Sequence, residues 1–420
     1  MKLRRTSNGQ LTTLATSTPL GAGGEARIYA IKDSPGLIAK IYHRPTRERA
    51  DKLQAMLANP PEKPFAENRT VSIAWPLDVL TAPNDSSQVI GFLMPRVNGM
   101  QPIIDFYHPK TRRQKHPLFS YLYLLRTASN LAGCVSALHA RGYVIGDLNE
   151  SNILVGQTAL VCLVDTDSFQ VPDTRTGTIY RCRVGKPEFT PPELQSMQFA
   201  WIDRRPEHDL FGLGVLIFQL LMEGTHPFAG KHPRAMESPP LEERIAAGAF
   251  PYAPDRQGGI EPMSTAPPFG MLGQRINELF QKCFVAGHND PSQRPTAQTW
   301  QKALLEVELS LAACQDNSQH RHGNHLRTCP WCERRKQLNG LDPFPSLDAV
   351  GRHVHFRSVL RPRRRARDNY ASIEEAMQIA AEAANRKKNQ RLLGAFLCAA
   401  VTSLLFLFIY WTFTLTYGLK

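Results

Sequence analysis

Three polar residues stand close together near the middle of the chain, in and after short apolar runs. Asp147 and Asn152 lie five residues apart in the stretch V-I-G-D-L-N-E-S-N-I-L, and Asp165 ends the next apolar run. One carboxylate can accept the proton of an attacking hydroxyl, while the amide and the second carboxylate can hold magnesium against phosphates. The spacing therefore indicates phosphoryl transfer. The alternative is a β-hairpin in which Asp147 and Asn152 only form turns.

This stretch resembles the catalytic loop of protein kinases, H-R-D-L-x-x-x-x-N, and Asp165 resembles the Asp of their D-F-G motif. It departs from the pattern where Ile145 and Gly146 replace the usual His and Arg, and where Asn149 replaces the usual Lys. Asp165-Thr166-Asp167 also stands in place of D-F-G. The resemblance implies that Asp147 orients and deprotonates a substrate hydroxyl, and that Asn152 and Asp165 bind magnesium.

A glycine-rich turn lies far upstream, between two runs typical of strands. Glycines there allow backbone N–H groups to approach phosphates closely. The turn resembles the kinase loop G-x-G-x-x-G-x-V, with Ala26 in place of the third Gly, although glycine-rich hairpins are also common in other proteins. The resemblance implies nucleotide contacts from Gly21, Ala22, Gly23, Gly24 and Ile28.

Lys40 interrupts the short apolar strand 37–42. A cation inside a buried strand needs a negative partner, and Lys40 resembles the kinase Lys that pairs with ATP phosphates. The alternative is an edge strand whose Lys points to solvent. The next segment, 46–58, has helical periodicity. It corresponds to the kinase helix that supplies a Glu to this Lys, and Glu48 and Asp51 are the two candidates.

The remaining kinase-like features follow in order. Met94, Pro95 and Val97 resemble the hinge that contacts adenine, after strands predicted at 71–80 and 89–97. A long helix is predicted at 119–141, and a polar activation segment at 168–186. Further on, Glu193 and Arg294 stand where kinases place an ion pair, and Asp209 stands at the start of their buried large-lobe helix.

These motifs predict an α+β, two-lobed protein kinase-like fold. We expect a flexible N-terminus at 1–18, a small lobe at 19–98 and a large lobe at 99–311. The resemblance implies an ATP- and magnesium-dependent Ser/Thr protein kinase that acts on a protein hydroxyl. The alternative is a pseudokinase that binds nucleotide or protein partners without catalysis, and the residues at Asn149 and Asp167 and the absent third Gly support that alternative.

A Cys/His cluster follows, and the chain resembles divergent bacterial kinase-like proteins with a Cys-Pro-Trp-Cys zinc module. The C-x2-C step presents two thiolates on one turn, and an upstream Cys and His can complete a tetrahedron. His322 and His325 are possible substitutes for the chosen His. The alternatives are free thiols, a redox C-x-x-C or a nucleic-acid-binding finger. We expect a zinc module at 312–335 with the ligands Cys314, His320, Cys329 and Cys332.

Composition permits a packed core and raises the question of nucleic-acid binding. The 420-residue chain has 42% hydrophobic residues and a net charge of +13. Seven Arg fall between residues 352 and 367, so the excess is partly local and nucleic acid is an unlikely partner. This run would bind acidic lipid or nucleic acid, or act as a solvated tether. Four scattered cysteines are expected to be buried thiols: Cys134, Cys162, Cys182 and Cys283.

The C-terminal part is predicted to be a basic linker and helix at 336–391, followed by a transmembrane helix at 392–417. That last segment is uncharged and longer than the roughly 20 residues that span a bilayer, and a buried core helix is the alternative. Basic residues precede it, so the positive-inside rule predicts a single-pass inner-membrane protein with a cytoplasmic kinase-like domain.

Overall fold

The computed structural model describes residues 1–15, 17–62, 72–231, 239–254 and 259–356. Within these ranges the chain is an α+β structure of two lobes, a sheet followed by a mostly helical part. The first lobe is one seven-stranded antiparallel sheet with the order β2-β1-β6-β7-β5-β4-β3. Its strands are β1 (Lys2–Arg5), β2 (Leu11–Thr13), β3 (Gly21–Ala22), β4 (Ala26–Ala30), β5 (Leu37–Tyr42), β6 (Asp78–Ala82) and β7 (Asp85–Pro95).

Lys40 lies in the centre of this sheet. It is opposite Ile28 on β4 and Phe92 on β7, and only 8% of its surface is exposed. The edge-strand alternative is therefore wrong. Helix α1 (Arg47–Ala58) packs beside the sheet, and the Thr46 side chain caps its N-terminus by accepting from the Arg49 N–H. Leu53 and Met56 on α1 are buried, as the apolar spacing predicts.

The N-terminal residues are not loosely held, which corrects the expectation for 1–18. β1 pairs with both β2 and β6, and Leu3 is completely buried. Leu3 belongs to a small core on the sheet face that includes Leu80 and Leu93. Because β1 covers the edge of β6 that would otherwise be unpaired, it extends the sheet beyond the five strands β3 to β7.

The second lobe contains most of the helices. It also contains the short strands that position residues 144–154, which are called the catalytic loop after the kinase loop that they resemble. Its helices are α2 (Ile104–Tyr107), α3 (Pro109–Lys115), α4 (Tyr121–His139), α5 (Pro206–Leu221), α6 (Leu241–Ala246), α7 (Gln274–Gln281), α8 (Gly287–Asn289) and α9 (Ala297–Leu309). Its strands are β8 (Gln101–Pro102), β9 (Ile153–Val155), β10 (Val161–Leu163), β11 (Val171–Asp173), β12 (Thr178–Tyr180), β13 (Gly230–Lys231) and β14 (Glu261–Pro262). Helix α4 packs against α5 and α9, and α5 is buried along nearly its whole length.

The loop that carries Asp147 therefore lies between packed helices and a short β-hairpin. The catalytic loop leads into the β9–β10 hairpin, and Asp165 follows β10. The four scattered cysteines that were expected to be buried are buried and free, which confirms that prediction. Beyond α9, a small hairpin of β15 (Leu311–Ala313) and β16 (Arg321–Gly323) precedes α10 (Pro330–Gln337) and α11 (Leu347–Gly351).

The expected single-pass inner-membrane location does not stand and is corrected here. Over the ranges that the structure describes, no helix combines the length and apolar character needed to cross a bilayer. The helix predicted within 336–391, at 371–391, and the span predicted at 392–417 both lie outside the described residues.

Candidate active site

A cavity of about 770 Å³ opens beside β3, β4 and β5. This is a usual size for a small-molecule site. Most of the predicted nucleotide and catalytic residues line it: Gly21, Ala22, Gly23, Gly24, Ile28, Lys40, Met94, Asp147 and Asp165. Pro95 and Val97 are not among the described residues that line it, and they lie at and just beyond the end of β7. Asn152 also does not line it, but it bonds directly to Asp147.

The catalytic loop is organised around the Asp147 carboxylate. The Asn152 amide donates to Asp147 Oδ2 at 3.1 Å and to the Asp147 carbonyl at 3.0 Å. Asn149 donates to Asp147 Oδ1 at 2.7 Å, while its own amide oxygen accepts from the Ser151 N–H. Two amides thus fix the direction of the carboxylate. Asn149, at the position of the usual Lys, acts here as a buried positioning group.

Asp209 holds the backbone of the same loop just before Asp147. It lies within the first turns of α5, and its carboxylate accepts from the backbone N–H groups of Ile145 and Gly146, each at 2.7 Å. His139, at the end of α4, lies 2.9 Å from the same carboxylate. The Asp209 side chain therefore connects the buried helix to the residues just before Asp147.

Lys40 is held by two carboxylates. Its ammonium lies 2.5 Å from Asp165 and 2.5 Å from Asp167, and the Tyr42 hydroxyl donates to the second oxygen of Asp167 at 2.9 Å. Burial works against the charge of Lys40, but Asp167 and Asp165 outweigh it and raise the Lys40 pKa. Burial also raises the pKa of Asp165, and the nearby Asp167 carboxylate adds to the effect. One cation thus faces two carboxylates, which leaves negative charge for a divalent cation to neutralise.

Asp165 has a backbone conformation that is uncommon for a residue with a side chain. Its φ is 59° and its ψ is 36°, in the left-handed region. Residues other than glycine in this region are uncommon and concentrate at functional sites. The turn that follows, 166–168, brings Asp167 back toward β5. The sequence D-T-D therefore places two carboxylates on the same lysine.

Neither Glu48 nor Asp51 pairs with Lys40, which corrects the expectation for α1. Glu48 accepts from Arg183 at 2.8 Å, and Asp51 lies 3.8 Å from Arg47 on the surface. Lys52 of α1 lines the cavity together with Glu48, Arg49 and Leu53. Asp167 supplies the missing negative charge from the other side of the cleft.

Arg204 lies beside Gly146 and occupies the space that a side chain there would need. Its guanidinium donates to the Gly146 and Val184 carbonyls and stacks on the Phe199 ring at 4.0 Å. Gly146 has a φ of +74°, and a Cβ on it would lie 2.8 Å from both Arg204 and Cys182. A cation from the segment before α5 thus joins the catalytic loop to the end of the activation segment.

The Glu193–Arg294 ion pair that the motifs predict is present. Arg294 donates to both Glu193 oxygens at 2.7 Å, and its side chain is completely buried. Burial opposes the charge of Glu193, but the bonds from Arg294 lower its pKa. The pair ties the end of the activation segment to the loop before α9.

A possible metal site forms where the sequence predicts zinc. The ligand atoms of Cys314, His320, Cys329 and Cys332 all lie within 4.8 Å of one another. Cys314 Sγ and Cys332 Sγ are 3.6 Å apart, and His320 Nδ1 is 3.6 Å and 3.5 Å from the sulfurs of Cys329 and Cys332. Bonds of about 2.3 Å to sulfur and about 2.0 Å to nitrogen give edges of roughly 3.5–3.8 Å in a tetrahedron. The three shorter distances therefore fit the edges of a zinc tetrahedron.

The other two histidines considered as ligands lie elsewhere. His322 contacts the Gly323 carbonyl, and His325 packs near Gly273. His320 instead has its second ring nitrogen 2.8 Å from Asp342, which orients Nδ1 toward the sulfurs. Carboxylates commonly hold metal-binding histidines in this way. Asp342 lies outside the predicted module 312–335, so the module extends further than the cysteine spacing indicates.

The module is anchored to the second lobe through α10. Trp331 is 1% exposed and packs on Tyr121 of α4, with ring centroids 4.8 Å apart. Arg334 pairs with the buried Glu223 at 2.9 Å. A metal bound there would therefore stabilise a module that is packed against the lobe.

Two curated relatives match most of this chain in sequence. No protein-family model matches the chain. Two relatives named "Protein kinase YegI", from Escherichia coli strain K12 and from Escherichia coli O157:H7, are 38% and 37% identical to it. Over this match the chain is therefore similar in sequence to proteins named as protein kinases. Each match covers 331 residues, which are 78% of this chain and 49% of the relative.

The chain thus spans about half the length of these relatives. Among solved structures, "ROP18 kinase domain in complex with AMP-PNP and sucrose" aligns with a TM-score of 0.46 at 16% identity, over 73% of this chain and 82% of that one.

Several residues of the site were missed by the sequence analysis. Asp167 and Asn149 were recorded only as departures from the kinase pattern, although a second Asp so close to Asp165 was a usable signal. Lys52, Arg204 and Asp342 carried no local signal, because their roles depend on contacts between segments that are distant in the chain.

Proposed function

We propose that the chain is an ATP-dependent protein kinase that transfers the γ-phosphate to a Ser or Thr hydroxyl of a protein. The observation that carries the proposal is the joint placement of Asp147, Lys40 and Asp165 on one cavity below a glycine-rich turn. These are the residues that phosphoryl transfer needs: a group for the hydroxyl proton, a cation for phosphates and a ligand for magnesium.

The nucleotide would lie under β3 and β4. Glycines at the turn leave backbone groups open to the phosphates, and Ile28 and Met94 offer apolar surface to the adenine. Pro95 and Val97, which follow Met94, would contact the adenine edge through the Pro95 carbonyl and the Val97 backbone, since Pro lacks an N–H.

The residues present fit magnesium. Oxygen ligands from carboxylates and amides are those that magnesium prefers. Asn152 uses its amide nitrogen on Asp147, which leaves its oxygen free to point elsewhere, and Asp165 uses only one carboxylate oxygen on Lys40. Magnesium held by Asn152 and Asp165 would neutralise charge on the phosphate oxygens.

The transfer itself would use Asp147 as the base. Its carboxylate accepts the proton of the substrate hydroxyl as that oxygen forms a bond to the γ-phosphorus, and the bond from that phosphorus to the bridging oxygen breaks to release ADP. Asn149 and Asn152 hold the carboxylate in one orientation throughout. Lys40 stabilises the phosphates, and Asp167 keeps Lys40 in place.

A pseudokinase is the second candidate, and one observation favours it. Both Asp147 oxygens already accept amide hydrogen bonds, and no lysine takes the place of Asn149. Binding of radiolabelled ATP without transfer, in the wild type and in Asp147→Ala alike, would identify this case. Transfer that is lost in Asp147→Ala while ATP binding is retained would support the kinase.

We also propose one structural zinc in the module, bound by Cys314, His320, Cys329 and Cys332. Four protein ligands close the tetrahedron, so no position is left for a reacting water. Its contribution would be to fold the module against the second lobe, and metal analysis of the full chain tests it.

A further inference from the structure

Lys52 is a cation on the cleft that has no acidic partner within the described ranges. It lies on α1 one helical turn before the fully buried Met56 and is half-buried itself. Its side chain lines the cavity together with Lys40 and Asp167. Over the ranges that the structure describes, its ammonium makes no ion pair and no side-chain hydrogen bond.

The acidic groups near Lys52 are already occupied. Asp167 uses one oxygen on Lys40 and the other on the Tyr42 hydroxyl. Glu48 uses both oxygens on Arg183. Burial lowers the pKa of Lys52, and the positive charge of Lys40 lowers it further. The negative groups Asp167, Cys182 and Glu48 raise it, but the net change is a lower pKa. A half-buried ammonium in this state is stabilised by an anion that enters the cleft.

Lys40 alone is poorly suited to neutralise a triphosphate. Its single charge faces two carboxylates at 2.5 Å, and the catalytic loop has Asn149 in place of a cation. The triphosphate of ATP needs positive charge near the glycine-rich turn in addition to magnesium. Among the described cavity residues, Arg44 and Lys52 are the cations without a carboxylate partner. Arg44 is exposed, whereas Lys52 is half-buried.

We propose that Lys52 contacts the phosphates of the nucleoside triphosphate and acts as a second phosphate-binding lysine beside Lys40. The proposal rests on the proposed function, because it requires a nucleotide in this cleft. Asp167 would then have two tasks: it holds Lys40 directly, and it reduces the repulsion between the two ammonium groups. Helix α1 would contribute to substrate binding itself rather than only positioning another residue.

The test is a comparison of nucleotide affinities. Lys52→Met keeps the length of the side chain and removes the charge, and Lys32→Met makes the same change at an exposed position outside the cavity. Dissociation constants are measured by equilibrium dialysis of the full chain with magnesium-ATP and with adenosine. We expect Lys52→Met to weaken ATP binding about tenfold, which is about 1.4 kcal/mol, and to leave adenosine binding unchanged. Lys32→Met should change neither.

Each other outcome has a definite meaning. If Lys52→Met binds ATP as tightly as the wild type, the assignment of Lys52 is overturned while the proposed function stands. If it weakens ATP and adenosine equally, Lys52 has only a structural role and the assignment is also overturned. If the wild type binds neither ligand, the proposed function fails and Lys52 fails with it. A urea unfolding curve of each variant shows whether the fold is retained.

Discussion

Replacing Asp167 tests how Lys40 is held. Asp167 accepts two hydrogen bonds, from Lys40 and Tyr42, and its side chain is 7% exposed. A hydrogen bond to a charged group contributes about 1.5–3 kcal/mol, and a broken buried pair costs about 3–5 kcal/mol. Asp165 stays on Lys40 and Asn keeps the side-chain shape, so Asp167→Asn should lower the free energy of unfolding by about 2 kcal/mol.

The matched control is Glu48→Gln, which removes one of the two carboxylates that the kinase pattern offers to Lys40. Glu48 is 52% exposed and its partner Arg183 is 61% exposed, and pairs of this kind contribute about 0–1 kcal/mol. Both variants are compared with the wild type by equilibrium urea unfolding, followed by tryptophan fluorescence. A cost for Glu48→Gln equal to or larger than that for Asp167→Asn would refute this account of Lys40.

Three further predictions concern zinc, the activation segment and pH. Asp342→Asn should weaken zinc binding about 10–100-fold in a chelator competition, because His320 loses the group that orients it. Arg204→Ala should lower the turnover at least tenfold in a phosphate-transfer assay, since it frees the activation segment from the catalytic loop. Burial lowers the pKa of His226 from 6.5 to about 4, so its contribution to stability is complete above pH 6.5 and is lost as the pH falls toward 4. Unfolding measured at pH 7 and pH 5 should show a loss of about 2 kcal/mol that is smaller in His226→Asn.

Control variants test the zinc and pH predictions. Asp348→Asn, at an exposed site on α11, should bind zinc normally; equal weakening in both variants would remove the special role of Asp342. For pH, the exposed His353→Asn should behave as the wild type, and a loss unchanged in His226→Asn would show that other groups cause it. For the activation segment, phosphorylation should matter little, because Arg204 contacts backbone carbonyls rather than a phosphate. The test is the triple variant Thr174→Ala, Thr176→Ala and Thr178→Ala. A tenfold loss of turnover in this variant would contradict the prediction.

The sequence predicts those parts of the site that depend on local spacing. Asp147 and Asn152 share one loop, and Asp165 follows a short strand, so their distances follow from the hairpin between them. The four residues of the Cys/His cluster are likewise close in sequence. Lys40 is the exception, because its place in an apolar strand indicates a negative partner but not that this partner lies near Asp147.

The parts that the sequence did not predict depend on contacts between distant segments. The apolar spacing of α1 gives its buried face but not which polar residue faces the cavity. Glu48 and Asp51 were therefore the candidates, and Lys52 was not considered. Asp167 reaches β5 only because of the backbone turn at Asp165. β1 is short and basic, and its pairing with β6 is set by tertiary packing rather than by its own propensity.

The most direct test of the central claim is phosphate transfer from radiolabelled ATP by the full chain, with casein and the chain itself as acceptors. We predict magnesium-dependent labelling in the wild type and a loss of at least a hundredfold in Asp147→Ala, as expected for removal of a general base. ATP binding by Asp147→Ala should persist, which separates catalysis from binding. Equal labelling by the wild type and Asp147→Ala would contradict the claim that Asp147 is the base.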